Sequence, residues 1–447
     1  MLVAMKNPVK QADSETETTV APDDRSPEQL ATPASEPPHT PLEAQSDSPW
    51  LPLKNPVFRT FWLASLVSNL GTWMHEIGAG WLMTQLDASP QMVSAVRTSM
   101  ALPIMLLAIP AGVLADRMDR RKLLIGTQLM LLCVTGTLAW LTAMGWITAW
   151  GLLGLTFLIG LGLTLHVPTW QASVPEWVPR SQLSRAVALG SISFNLARGV
   201  GPALAGLLVA WLGSWIAFSF NAASFAAVII ALLVWKRDRV ESSRGQSFQQ
   251  SLFEGLHYAF SCVAMRHVLL RLLFFVAPAS ALWGLLPLIV KQRLDWGADG
   301  FGVLVACIGG GAIIGARLMP ELHRWLGADK AVTMAMTLFA IGMTLMSVTT
   351  DRTINVVATL IMGMGWMITL TSLNTAAQLS LPDRLRARGM SCYLTMMAFS
   401  MATGSLLWGM LADGTSIATA QKIAATTVLV TAAIGLKLSI ISTPEPS

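Results

Sequence analysis

Charge is what this 447-residue chain has least of: only 12% of its residues are Asp, Glu, Lys or Arg, against roughly 25% in a soluble domain. That shortfall excludes a protein bathed in water on all sides. Cysteine is also sparse. Cys133, Cys262, Cys307 and Cys392 form no C-x-x-C pair, and three lie in or beside apolar runs, where cysteine behaves as a small hydrophobe. Neither a disulfide framework nor a metal site is expected. The chain has no G-x-S-x-G and no H-E-x-x-H. In "WMHEIGAGW" (73–81) the second zinc histidine would have to be residue 79, which is Ala79. "GGGAIIG" (309–315) lacks the Lys-Ser/Thr of a phosphate loop and reads as helix packing. No enzyme, no cofactor and no nucleic-acid partner is expected.

What is abundant is apolar length. Hydrophobic residues make up 53% of the chain, in runs that repeatedly reach the ~20 residues needed to cross a bilayer. Splitting them at charged and turn-forming residues predicts twelve helices: 58–83, 91–115, 122–144, 148–170, 186–210, 213–235, 267–290, 301–319, 330–349, 353–373, 388–411 and 417–440. Before them, residues 1–53 are an acidic, Pro-rich stretch expected to be a disordered tail. Between Gln11 and Pro49 it holds nine Asp or Glu, seven Pro and no aromatic residue. The connection 236–266 separates a bundle over 54–235 from one over 267–447.

The two sets of six align at one constant offset. Gly112 maps on Gly315, Pro179 on Pro382, Arg185 on Arg388, Gly201 on Gly404 and Gly206 on Gly409, each pair 203 apart. This is an internal duplication, and parallel six-helix repeats are the plan of a large transporter fold. Lys and Arg gather in alternate loops, among them Arg117, Arg120, Arg121 and Lys122, while the other set holds Lys291, Arg293 and Arg352. The positive-inside rule then predicts that both termini are cytoplasmic, and the inner (plasma) membrane is the expected location.

The loop "GVLADRMDRR" (112–121) resembles the signature loop of the major facilitator superfamily, here Gly112, Asp116, Arg117, Arg120 and Arg121. It departs from the family at Asp119, where Gly is common, and in the second half Met319 replaces the Asp. The resemblance implies the all-α major facilitator fold, twelve transmembrane helices in two six-helix bundles. It also implies that Asp116 braces the opposing half near Arg388 and Gly389, and Gly112 is expected to admit a close helix contact. "GVGPALAG" (199–206), with Gly199, Gly201, Pro202 and Gly206, looks like the glycine-proline motif of exporters in the same superfamily, with Ala205 where Gly is often found. Together with "SNLGTWM" and "GWLMTQL" it is similar to the branch of enterobactin exporters and macrolide-type efflux proteins. Over about 54–440, that branch implies proton-driven export of a small organic compound, siderophore or drug-like.

Ionisable residues at membrane depth are costly and default to functional candidates. Glu76 and Arg97 fall at matching depth on consecutive helices, about 10 Å from one face, so an ion pair is geometrically allowed. Glu76, His75 and Arg97 are the proton-coupling candidates, with a purely structural pair as the alternative. Arg198 falls near the bilayer midplane, where such transporters bind substrate. It is the candidate for an anionic or catechol-like group, with Asn195, Gln171, Asn69 and Asn374 as further cavity candidates and an internal salt bridge as the alternative. The expected partners are a small-molecule substrate, the proton and the lipid bilayer; the sequence does not specify an oligomeric state. Uptake or facilitated diffusion of a metabolite, and a transporter-shaped receptor acting through the acidic tail, remain the competing functions.

Overall fold

The computed structural model describes residues 48–235, 261–382 and 386–440; within these, the side chains of residues 109, 113, 115–117 and 386–388 stand outside the description. The described secondary structure is helical throughout. The helices are α1 (Pro56–Leu86), α2 (Pro90–Arg117), α3 (Arg120–Ala143), α4 (Ala149–Ser173), α5 (Leu183–Leu212), α6 (Trp215–Val234) and α7 (Val263–Leu288). A continuous stretch, Ala298–Val348, is broken at Gly327, whose φ of 76° no helix continues, into α8 (298–326) and α9 (328–348). Then come α10 (Arg352–Leu379), α11 (Arg386–Gly414) and α12 (Ile417–Gly435).

All twelve expected spans are helices, and the differences lie at their ends. The apolar pattern ends α8 at residue 319, but the helix runs on to 326 through Glu321 and Arg324. An Arg324–Glu321 pair one turn apart supports that polar extension. α7 begins at Val263, inside the stretch read as linker, and α12 stops at Gly435, short of residue 440. Starts are set by polar caps: the side chains of Asn55, Ser89, Asp119, Thr148, Asp351 and Ser416 each accept a backbone N–H of the first turn. Ten described stretches are long and apolar enough to cross a membrane, one of them holding both α8 and α9. α1, which carries Arg59, Asn69, His75 and Glu76, is not among them.

Helices α1–α6 and α7–α12 form the two bundles. α7 is the most enclosed helix, with 78% of its apolar stretch buried, as expected of a helix apolar on every side. The seam between bundles is built where α2 meets α11 and α5 meets α8. Here the duplication becomes geometry. A Cβ on Gly206 of α5 would stand 2.7 Å from the Ala298 carbonyl oxygen and from Gly302 Cα of α8. A Cβ on its repeat mate Gly409 of α11 would fall on Ser94 Oγ and 2.9 Å from the Pro90 carbonyl oxygen of α2. Within each half, Gly201 lies against Trp73 of α1 and Gly404 against Ala277 of α7 in the same way. Small residues thus let backbones touch where no hydrophobic drive between helices exists.

The end of the bundle bearing the α1–α2, α7–α8 and other odd-numbered connections is here the odd-loop end. Cross-half bonds close it. Thr98 Oγ1 donates to the Ala402 carbonyl (2.9 Å), Lys291 Nζ to the Thr84 carbonyl, and Gln292 Nε2 to the Ala88 carbonyl (3.3 Å). Lys291 and Gln292 sit in a π-helical turn, Ile289–Arg293, that continues α7.

Candidate functional site

One face of α1 builds the site. Asn69, Trp73, Glu76 and Gly80 recur at spacings of three and four, which aligns them on one side of a helix. At the top of this face the Glu76 carboxylate pairs with the Arg97 guanidinium of α2, each side chain 22% exposed. The depth match expected from sequence is therefore a contact. Arg97 also lies over the Trp283 indole of α7, its Cζ 5.2 Å from the ring centroid. α7 can approach this closely because Gly80 has no side chain; a Cβ there would stand 3.2 Å from Pro287 Cγ.

Around the pair is a cavity of about 40 Å³ to which α4 contributes Thr156 and α8 contributes Phe301. That volume admits about two or three waters, far below the several hundred Å³ of a drug-sized site. It suits proton chemistry better than substrate binding. His75 turns its ring to Phe218 of α6, centroids 5.0 Å apart, and is 1% exposed. It also lines the cavity, and neither of its ring nitrogens has a partner.

A second cavity, of about 150 Å³, opens at mid-bundle between α5, α8 and α10, where Arg198 and Asn195 face Gly309, Ala312 and Met367. Arg198 is the sixteenth residue of a 30-residue helix, which places it at half depth. Its guanidinium Cζ is 5.9 Å from the Trp73 ring centroid. Among the described residues no carboxylate pairs with it. Trp73 thus touches both places, lining the Glu76 cavity and lying beneath Arg198.

The other cavity candidates stand elsewhere. Asn69 Nδ2 donates to Ser193 Oγ (3.4 Å), tying α1 to α5. Asn374 accepts from Gln378 on its own helix (2.6 Å), and Gln171 is exposed on the last turn of α4. Neither of these two lines the Arg198 cavity.

In the signature loop, Arg120 donates to the Ala172 carbonyl (2.8 Å) and pairs with Glu176 (2.9 Å), while Arg121 donates to the carbonyls of Leu232 and Leu233. Both cations therefore satisfy the free carbonyl ends of neighbouring helices, α4 and α6. The side chains of Asp116, Arg117 and Arg388 lie outside the described residues. Gly112 corrects an expectation: among the described residues nothing lies within 4 Å of where its Cβ would be, so no described helix contact depends on it, whereas its mate Gly315 lies against Met364 of α10. The same openness holds for Gly199, although its own Cα closely approaches Gly309 of α8.

Comparison with known proteins agrees with this fold. The family model described as "transmembrane secretion effector", of the major facilitator type, matches residues 47–445. The chain belongs to that family. It is a multi-pass membrane transporter and not an enzyme. The staphyloferrin A transporter of Staphylococcus aureus is 24% identical over 286 residues, 63% of this chain and 72% of that one. Macrolide efflux protein A of Streptococcus pyogenes is 23% identical over 64% of this chain and 72% of its own. The multidrug efflux pump Tap of Mycolicibacterium fortuitum is 22% identical over 79% and 88%. Among solved structures, a nucleoside transporter superposes with a TM-score of 0.69 at 13% identity, covering 86% of this chain and 99% of its own. A bacterial homologue of ferroportin in an inward-facing state gives 0.66 at 14%, covering 86% and 98%. At these identities the structural likeness speaks for the fold of the transporter alone.

Sequence reasoning missed Trp73 and Trp283 as members of the site and Lys291 as a closing contact. Trp residues are numerous (17) and read as lipid anchors, and only the packing of α7 against α1 and α2 singles out these two. Lys291 carried a usable signal, being one of the few cations on its side of the chain.

Proposed function

We propose that this transporter exports a small organic anion in exchange for protons, with Glu76 as the proton carrier and Arg198 as the substrate anchor. The observation that carries the reading is the Glu76–Arg97 pair at the seam between bundles, in a cavity sized for water and bearing directly on α7. A carboxylate there can be charged while it holds Arg97 and neutral while it carries a proton. Arg198, at half depth and unmatched by a described carboxylate, supplies a fixed positive charge for a carboxylate or comparably anionic group. Trp73, one turn below Glu76, is positioned to report occupation of one site to the other.

The Lys and Arg distribution favours a cytoplasmic even-loop end and cytoplasmic termini; the closed odd-loop end is then the external one. Relatives named for macrolide efflux, multidrug efflux and staphyloferrin A transport support export and an organic substrate.

The test uses purified protein in liposomes with an imposed proton gradient and a panel of carboxylate siderophores and drugs. A substrate-dependent proton flux is expected in the wild type and not in Glu76→Gln, with substrate binding retained. Arg198→Gln should keep the fold and raise the KM for anionic substrates by roughly tenfold or more, the scale of a lost charged hydrogen bond. Equal proton flux in wild type and Glu76→Gln refutes the carrier assignment. An unchanged KM in Arg198→Gln refutes the anchor.

A further inference from the structure

We infer that Trp283 is a positioning residue: through its contact with Arg97, the charge state of Glu76 sets how firmly the odd-loop end is closed. The inference rests on the reading of Glu76 as proton carrier. Arg97 has two partners, and they belong to different halves. Glu76 on α1 lies in its own bundle; Trp283 on α7 lies in the other. The indole is held by its neighbours in the second bundle, since Trp283 packs edge-on against Trp366 of α10 (5.6 Å), which in turn lies 5.5 Å from Phe275 of α7. Its Nε1–H, buried, has no hydrogen-bond partner. Among the described residues its polar link to the first bundle is therefore the face it offers Arg97. Eight residues further along, about two turns, in the π-helical turn that continues α7, Lys291 bonds the last turn of α1. The contact and the Lys291 and Gln292 bonds are thus carried on one continuous helical segment.

The physical asymmetry follows. While Glu76 is ionised, the Arg97 charge is matched inside the first bundle, and the indole faces a neutral pair. When Glu76 takes up a proton, the guanidinium keeps its charge and loses its counter-ion. The electron-rich indole face becomes its remaining partner, and the bond between halves strengthens. Cation–π attractions correspond to roughly three- to thirty-fold in an equilibrium, the upper end applying when the cation is desolvated. Protonation therefore closes the odd-loop end, which is the coupling an antiporter returning with its proton requires.

The groups facing the pair are few. α2 contributes Arg97 and α1 contributes His75. Thr156 of α4, Trp283 of α7, and Phe301 and Val305 of α8 do not titrate in the relevant range.

The experiment places spin labels on exposed Met144 and Thr415, one in each half at the odd-loop end, with the four native cysteines replaced, and measures their distance distribution from pH 8 to pH 5. In the wild type the closed population should rise on acidification, by a factor on the order of ten. Glu76→Gln should be closed and pH-insensitive. Trp283→Leu should lose the response, and Trp283→Phe, which keeps a weaker aromatic face, should retain a smaller one. A wild-type response in both Trp283 variants overturns the inference while leaving Glu76 as carrier; if the leucine variant does not fold, an undiminished response in Trp283→Phe does so alone. An identical titration in wild type and Glu76→Gln overturns the carrier reading itself. A response abolished by His75→Gln but kept by Glu76→Gln, or opening in acid, also overturns the inference.

Discussion

Gly206→Ala adds one methyl group at the place where the two bundles come closest on α5 and α8, and its effect is calculable. The new carbon would stand 2.7 Å from the Ala298 carbonyl oxygen, 2.7 Å from Gly302 Cα and 3.0 Å from Gly302 N. All three are backbone atoms, so no side chain can rotate away. Ordinary contact between such atoms requires about 3.5 Å, so the helices must separate by roughly 1 Å. Overpacking of this kind costs about 1–3 kcal/mol. Because α5 and α8 belong to different halves, the strain is released when the odd-loop end opens rather than by unfolding. At 1.4 kcal/mol per decade, the closed-to-open ratio should fall roughly five- to 150-fold. The distance between labels at Met144 and Thr415 reads that ratio, with helical content by circular dichroism as the control for folding. Gly190→Ala on the same helix, where nothing lies within 4 Å of the new carbon, should change nothing. A closed population unaltered in Gly206→Ala would refute the reasoning that backbone contact at this crossing holds the closed form.

Two further outcomes follow from the same contacts. Lys291→Ala removes a cross-half bond to the Thr84 carbonyl and leaves that buried residue's carbonyl without it; the closed population should fall by roughly three- to thirtyfold, read with the same labels. Arg271 is 1% exposed, donates twice to the Gly435 carbonyl and pairs with Asp329 at 2.8 Å. Asp329 also accepts from Ser439 and from the Ile440 backbone. Arg271→Met should therefore destabilise the second bundle by about 2–4 kcal/mol, below the full value for a buried pair because Asp329 is 30% exposed. Thermal unfolding in detergent, alongside Asp329→Asn, checks it.

The sequence reached far for this protein because the bilayer leaves few choices. In lipid every backbone group must be satisfied within its own segment, so apolar runs, split at charged and turn-forming residues, determine helix number. The offset of 203 determines that the helices form two like halves, and the depth of each charge follows from its distance along a span. Glu76 and Arg97 were legible as partners for that reason. Rotation of one helix against another is not written in apolar length, since a helix surrounded by lipid and apolar neighbours shows no strong polar face to orient it. Tertiary packing alone turned Gly206 toward Gly302 while leaving Gly112 with no described neighbour at its Cβ position. It also brought Trp283 from the other half over Arg97 and left Arg198 on Trp73 without a described carboxylate. Composition and periodicity thus determined what crosses the membrane and how deep each charge lies. Which side chains meet across the seam was decided by backbone-to-backbone contact between the bundles, because there a single methyl group is as large as the available gap.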